Sequence, residues 1–312
     1  MALFTSSPTA TIPQSAAPAP TAGEGNPGGL SAELLKALSR ITEISSLPEI
    51  TTRIIQIVED PKSTAHDMHE IVRSDPALAS KVLKVVNSAF YGLPSQISNL
   101  DRAIVMLGLS AVKNIALAAS LSRLFRPGNL SEKFAVRDLW VHSIAVGVCA
   151  RLIAEKSFGQ PEETFVAGLV HDVGLLVEYQ LLPEKLRQVV TRCETQTQNF
   201  VAAERATIGG DHTQFGAAIV SRWKFPPILK YSVQYHHDPS TLQADFKRIV
   251  TAIQVADTIC CQNQIGFYLT AEAQEVTEEQ LAIIGVSPAA VGEIVEALPE
   301  RIAESERIFG DS

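Results

Sequence analysis

The chain has 312 residues, 46% of them hydrophobic and 19% charged, with a formal charge of −8 at pH 7. That content suffices for one large core or two lobes; no stretch has the unbroken apolar length of a membrane span, and no basic-then-apolar signal peptide opens the sequence. The acidic balance argues against direct nucleic-acid binding, a role that concentrates Lys and Arg, and a cytoplasmic address is expected by default.

Residues 1–29 are rich in Ala, Pro, Ser, Thr and Gly and nearly lack large apolar side chains, which predicts a disordered tail. From Ser31 the pattern is helical, with Ser or Asp caps, apolar residues three and four apart, and Pro or Gly punctuation. Ser31 is expected to cap a helix reaching Ile44, and Leu47-Pro48-Glu49 to open another carrying Ile50, Ile54 and Ile57. Asp75-Pro76 reads as a cap with proline in the first turn. Its helix carries Leu78, Val82, Leu83 and Val86 to Asn87-Ser88-Ala89-Phe90-Tyr91-Gly92, whose two aromatics read as core. Helices over 101–107 and 110–125 end at Arg126-Pro127-Gly128-Asn129, the predicted boundary between lobes 30–128 and 129–265.

In the second lobe a helix over 139–153 places His142 on a face with Leu139, Val146, Cys149 and Ile153. Pro161-Glu162-Glu163 starts the helix expected to deliver His171 and Asp172. Asp211 and Gln214 form a capping box with His212 in the first turn. A helix from Pro226-Pro227 ends at His236-His237, and a further one carries Phe246, Ile249, Ile253 and Asp257 on one stripe. An acidic segment, 266–312, is expected to hold short helices at 277–284 and 288–298. Cys149, Cys193, Cys260 and Cys261 show no CxxC spacing and read as reduced. Arg102, Lys113, Arg123, His66 and His69 read as solvated, and Trp140 and Trp223 as core.

His171-Asp172 interrupts the apolar run Phe165-Val166-Ala167-Gly168-Leu169-Val170, which resumes at Val173-Gly174-Leu175-Leu176. A carboxylate buried there needs a hydrogen-bonding partner, an ion pair or a cation. Five segments of this lobe supply His142, His171 with Asp172, His212, His236 with His237, and Asp257. A histidine on an apolar helix face is by itself an ordinary core residue. Together these donors suit first-row divalent metals, which helical bundles hold with inward-facing residues.

The ordered blocks Leu47-Pro48, Ser74-Asp75-Pro76-Ala77-Leu78, Asn87 through Gly92, Leu139-Trp140-Val141-His142-Ser143, Ala167 through Gly174, Asp211-His212 with Gly216, His236-His237 and Ala256-Asp257 resemble those of the HDOD proteins. These are bacterial output modules related to the HD metal-dependent phosphohydrolases and the HD-GYP cyclic-dinucleotide phosphodiesterases. The resemblance covers about 30–262 and implies an all-α, two-lobed fold without a sheet, its second lobe an HD-type bundle. It implies that His142, His171, Asp172 and Asp257 match the ligands of a first metal. His212, His236 and His237 match those of a second, bridged by Asp172. Fe, Mn, Zn, Co and Ni all accept such donors.

Two departures weigh against hydrolysis. Leu175 stands where the phosphodiesterases carry Lys, and Asp238-Pro239-Ser240-Thr241 where they carry Glu and a Gly-Tyr-Pro loop. The resemblance implies as the expected function bacterial signal transduction through contacts with signalling proteins, with a nucleotide second messenger as a further candidate partner. The alternatives are a metal-dependent phosphohydrolase or phosphodiesterase of nucleotides or cyclic dinucleotides, and a metal-free hydrogen-bond network that specifies the core. No sensor, receiver or DNA-binding segment is recognised, which predicts a stand-alone module.

Overall fold

A computed structural model of the chain describes residues 36, 38–43, 47–88, 91–93, 95–126, 128–196, 198–272 and 274–309. The expected tail, the Ser31 cap, Ile44, Ala89, Phe90 and Pro127 lie outside them.

The fold is all-α. The N-terminal helices are α1 (Glu49–Glu59), α2 (Ala65–Arg73), α3 (Pro76–Val86), α4 (Leu100–Leu107) and α5 (Leu109–Leu121). Their ends follow local chemistry. Asp75 caps α3 by accepting from the Leu78 N–H at 3.0 Å, and Thr64 and Asp67 cap α2 reciprocally. Asn87, just past α3, holds the following loop by donating to Ile97 O at 2.8 Å and accepting from Ile97 N at 2.6 Å. Ile54, Met68, Leu78, Val82 and Leu117 form the core of this half.

The predicted break after Phe125 is present, but it leads into a short antiparallel hairpin, β1 (Asn129–Ser131) with β2 (Phe134–Ala135). The expectation of no sheet is corrected here: Phe134 is fully buried, and its apolar anchor lets five residues pair where propensity alone reads a turn. Beyond it come α6 (Val136–Lys156), α7 (Pro161–Val170), α8 (Val173–Leu181), α9 (Pro183–Gln196), α10 (Phe200–Thr207), α11 (His212–Arg222), α12 (Pro227–Tyr235), α13 (Ala244–Gln262), α14 (Glu278–Ile284) and α15 (Pro288–Phe309).

Two close helix contacts shape this half. Gly147 on α6 and Gly168 on α7 let the backbones touch, since a Cβ on Gly168 would lie 2.6 Å from the Gly147 Cα. Gly174 on α8 does the same against α11, where a Cβ would collide with His212 O. No side chain fits either place.

Helix α15 runs well past the expected end at Leu298, through Pro299. Ile302, Ile308 and Phe309 continue the buried stripe, and Phe309 packs on Phe165 with ring centroids 5.8 Å apart. That burial outweighs the hydrogen bond lost at the proline. All four cysteines are free and buried. Among the described residues no single helix is long and apolar enough to cross a membrane.

Candidate metal centre

The sequence placed His171 and Asp172 inside one helix; the structure places them between two. Helix α7 stops at Val170, and α8 restarts at Val173. The His171 ring turns back so that Nδ1–H donates to Gly168 O at 2.7 Å. Asp172 sits at φ −97° and ψ 17°, a bridge conformation that turns its carboxylate into the middle of the bundle.

Six further positions converge on that carboxylate. On one side, Asp172 Oδ2 lies 3.4 Å from His171 Nε2 and 3.9 Å from His142 Nε2. Asp257 Oδ1 closes this side at 3.1 Å from His142 Nε2 and 3.8 Å from His171 Nε2. On the other, Asp172 Oδ1 lies 3.4 Å from both His212 Nε2 and His236 Nε2. His237 Nε2 completes that side, 3.0 Å from His212 Nε2. All seven residues singled out in the sequence are thus brought together, in two groups that share Asp172 and draw on α6, the α7–α8 junction, α11, the end of α12 and α13.

The second nitrogen of each ring fixes its orientation. His142 Nδ1 meets Ile265 O at 3.3 Å, and His236 Nδ1 meets Ser232 O at 3.0 Å. Carbonyls only accept, so His236 Nδ1 carries hydrogen and its Nε2 lone pair faces inward, whereas His142 lies between two acceptors, Ile265 O and Asp257 Oδ1. His212 Nδ1 is held by both oxygens of Glu204, at 2.9 and 2.8 Å. Such outer partners set tautomer and aim in metal sites.

Glu204 and Glu178, both fully buried, escaped the sequence reading. The same signal marks them, an acid inside Leu175-Leu176-Val177-Glu178 and inside Phe200-Val201-Ala202-Ala203-Glu204. Burial, reinforced by the nearby Glu204, pushes Glu178 well above the carboxylate range. Burial and Asp211 push Glu204 up as well.

The donors fit a cation. His171 Nε2 and both oxygens of Asp172 are buried without hydrogen-bond geometry to any partner, so the shortest approaches of 3.4 Å are electrostatic. Burial opposes charge on His171, yet the neighbouring Asp172 and Asp257 outweigh it and raise the imidazole to about 10. Against the same penalty, His171, His236 and His212 hold Asp172 well below the carboxylate range, while His142 and His171 lower Asp257. A proton on His171 thus balances part of the negative charge when no metal is bound. On the opposite side, burial lowers His236, and burial with the neighbouring imidazoles lowers His237, which favours the neutral forms that ligate. His142, His171, Asp172, His212, His236 and Asp257 are buried, and His237 alone reaches partly to the surface.

Trp140 is core, whereas Trp223 is only partly covered. His66 is exposed, and His69 bonds Asp101 at 3.0 Å. Arg123 pairs with Asp75 at 2.6 Å, and Lys113, half-buried, donates to Ser63.

The structure is an all-α bundle with a buried His/Asp cluster at a broken helix. The chain belongs to the HDOD domain family, whose model matches residues 44–239. It resembles an HDOD domain protein of unknown function from Geobacter sulfurreducens, at 24% identity and a TM-score of 0.74 over 88% of this chain and 99% of that one. It also resembles a Marinobacter aquaeolei VT8 protein named provisionally for signal transduction, at 20% identity and a TM-score of 0.71 over 89% of this chain and 64% of that one. A Treponema pallidum (strain Nichols) protein of unassigned function is 25% identical over 223 residues, 70% of this chain. The chain spans 42% of the length of that curated relative.

Proposed function

We propose that the chain is a cytoplasmic regulatory module of bacterial signal transduction that acts through contacts with other proteins. In this reading the His/Asp cluster holds one or two divalent cations, drawn from Fe, Mn, Zn, Co and Ni, as a buried structural centre. The observation that carries it is enclosure: six of the seven donors are buried, and closed sites are the mark of structural metals, whereas catalytic metals keep an open position. His142, His171, Asp172 and Asp257 would hold the first ion; His212, His236 and His237, with the second oxygen of Asp172, would hold the other. Bound there, a cation would tie α6, α8, α11 and α13 together and favour one packing of the bundle, which a partner can read. Four buried, unpaired thiols suit a reducing compartment.

Cross-linked pull-down from the native cell, with wild type and Asp172→Ala side by side, tests the proposal. A reproducible partner whose recovery falls in the variant supports it, and no partner from either sinks it. One observation favours a second reading, a metal-dependent phosphohydrolase: His237 opens the second group partly to solvent. Turnover of any nucleotide or cyclic dinucleotide by metal-loaded protein, abolished by Asp172→Ala, would replace the first reading with this one. The fully buried Leu175 offers no cation to a phosphate there.

A further inference from the structure

A cavity of ≈ 300 Å³ lies between the N-terminal helices and one face of α8, with Trp223 at its rim. Its volume sits at the lower end of the about 300–1,000 Å³ typical of small-molecule sites. Its wall mixes charged, apolar and polar groups. Arg123 and Arg126 supply two guanidinium groups, Leu176 and Trp223 an apolar surface, and Glu49 and Gln180 hydrogen-bond acceptors. Asp75 engages Arg123 through one Nη2 contact of 2.6 Å, which fixes the side chain and leaves its other N–H groups available. Arg126 is exposed and has no ion pair among the described residues. An adjoining hollow of ≈ 340 Å³ shares Pro48, Glu49 and Arg123 and adds Arg53.

From this arrangement we infer that the cavity is a binding site for a nucleoside phosphate. The phosphate would bridge Arg123 and Arg126, where guanidinium forks match its oxygens. The base would lie on Trp223 and Leu176. Glu49 repels a bare anion, so the ligand must bring donors to it. Ribose hydroxyls and ring N–H groups do so, and inorganic phosphate does not. The site is separate from the His/Asp cluster yet shares its helices: α8 begins directly after Asp172 and lines the cavity, while α11 begins at His212 and ends beside Trp223. The two touch through Gly174. A ligand that favours one packing of these helices would change metal affinity by the same factor as metal changes its own, a corollary that rests on the proposed metal centre, whereas binding itself does not.

The test titrates full-length Trp140→Phe protein, in which Trp223 is the one remaining tryptophan, with guanosine and adenosine mono-, di- and triphosphates and with inorganic phosphate. Metal-stripped and metal-loaded samples are compared, and calorimetry on the unsubstituted chain guards against a folding defect in the variant. The expected result is saturable binding of a nucleoside phosphate below about 1 mM, seen also in the stripped protein. Arg126→Ala, an exposed substitution, should weaken it about tenfold, the loss of one charge-assisted contact. No saturable signal in either sample, equal binding of inorganic phosphate, or indifference to Arg126→Ala would overturn the proposal. Binding in the stripped protein stands even if the metal proposal fails.

Discussion

The N-terminal helices and the bundle around Asp172 solve the burial problem in opposite ways. In α1–α5 the interior is mostly apolar, with Ile54, Met68, Leu78 and Val82 fully covered and the small hydroxyls of Thr51 and Ser120 buried beside them, and charged and amide side chains work at the helix ends, as Asp75 and Asn87 do. Around Asp172 the centre itself is polar, and apolar residues form the sheath. The first arrangement gains stability from every contact. The second carries carboxylates and imidazoles at a desolvation cost that only mutual pairing or a cation offsets. An apolar core is penalised in proportion to the volume it loses; a polar centre is sensitive as well to the identity of each atom.

Substitutions in the two regions should separate these behaviours. The largest effect is expected at Gly174. Valine there drives a Cβ into His212 O, and pushing α8 from α11 should cost about 3 kcal/mol or more by chemical denaturation while also lowering metal content. Leu78→Ala should cost a similar 2–5 kcal/mol, as a cavity in α3, yet leave metal content per folded molecule unchanged. Equal metal loss in both variants would erase the distinction between the regions.

Asp172→Asn preserves volume and should abolish metal binding, and the metal-free protein should also lose stability, because the buried His171 loses the carboxylate that holds its charge. Metal content by elemental analysis and unfolding after chelation check the two halves of this expectation.

The smallest effect is expected at the α3 cap. Asp75→Ala should cost about 1 kcal/mol. Burial opposes ionisation of Asp75, but the Leu78 N–H and Arg123 outweigh it and hold the carboxyl below its ordinary 3.8. A lowered folded-state value means the stabilisation is full above 3.8 and is lost as pH falls through the lower one. The gap between wild type and variant should close in acid, and a gap that widens there would contradict the cap.

Much of this was legible in the residues because caps and apolar periodicity are local. Asp75-Pro76, Asp211 with Gln214, and Pro161 each start a helix where their chemistry requires. The seven polar positions were legible for the opposite reason, as violations of an apolar pattern. What escaped depends on contacts made across the fold. The break at His171-Asp172 comes from a ring bonding Gly168 O and a carboxylate drawn to histidines far along the chain. Glu204 gains meaning only where α10 meets α11. Pro299 reads as a stop until Phe309 is seen against Phe165.

Metal content measured together with thermal unfolding, before and after chelation, tests the central claim most directly. The account predicts metal in the gently purified protein, and a rise in Tm on adding back the divalent ion to stripped protein, since an ion bound only by the native state stabilises it. The same ion should leave Asp172→Asn unmoved. Metal-free protein whose Tm no first-row divalent cation shifts would contradict it and leave the cluster a hydrogen-bonded core.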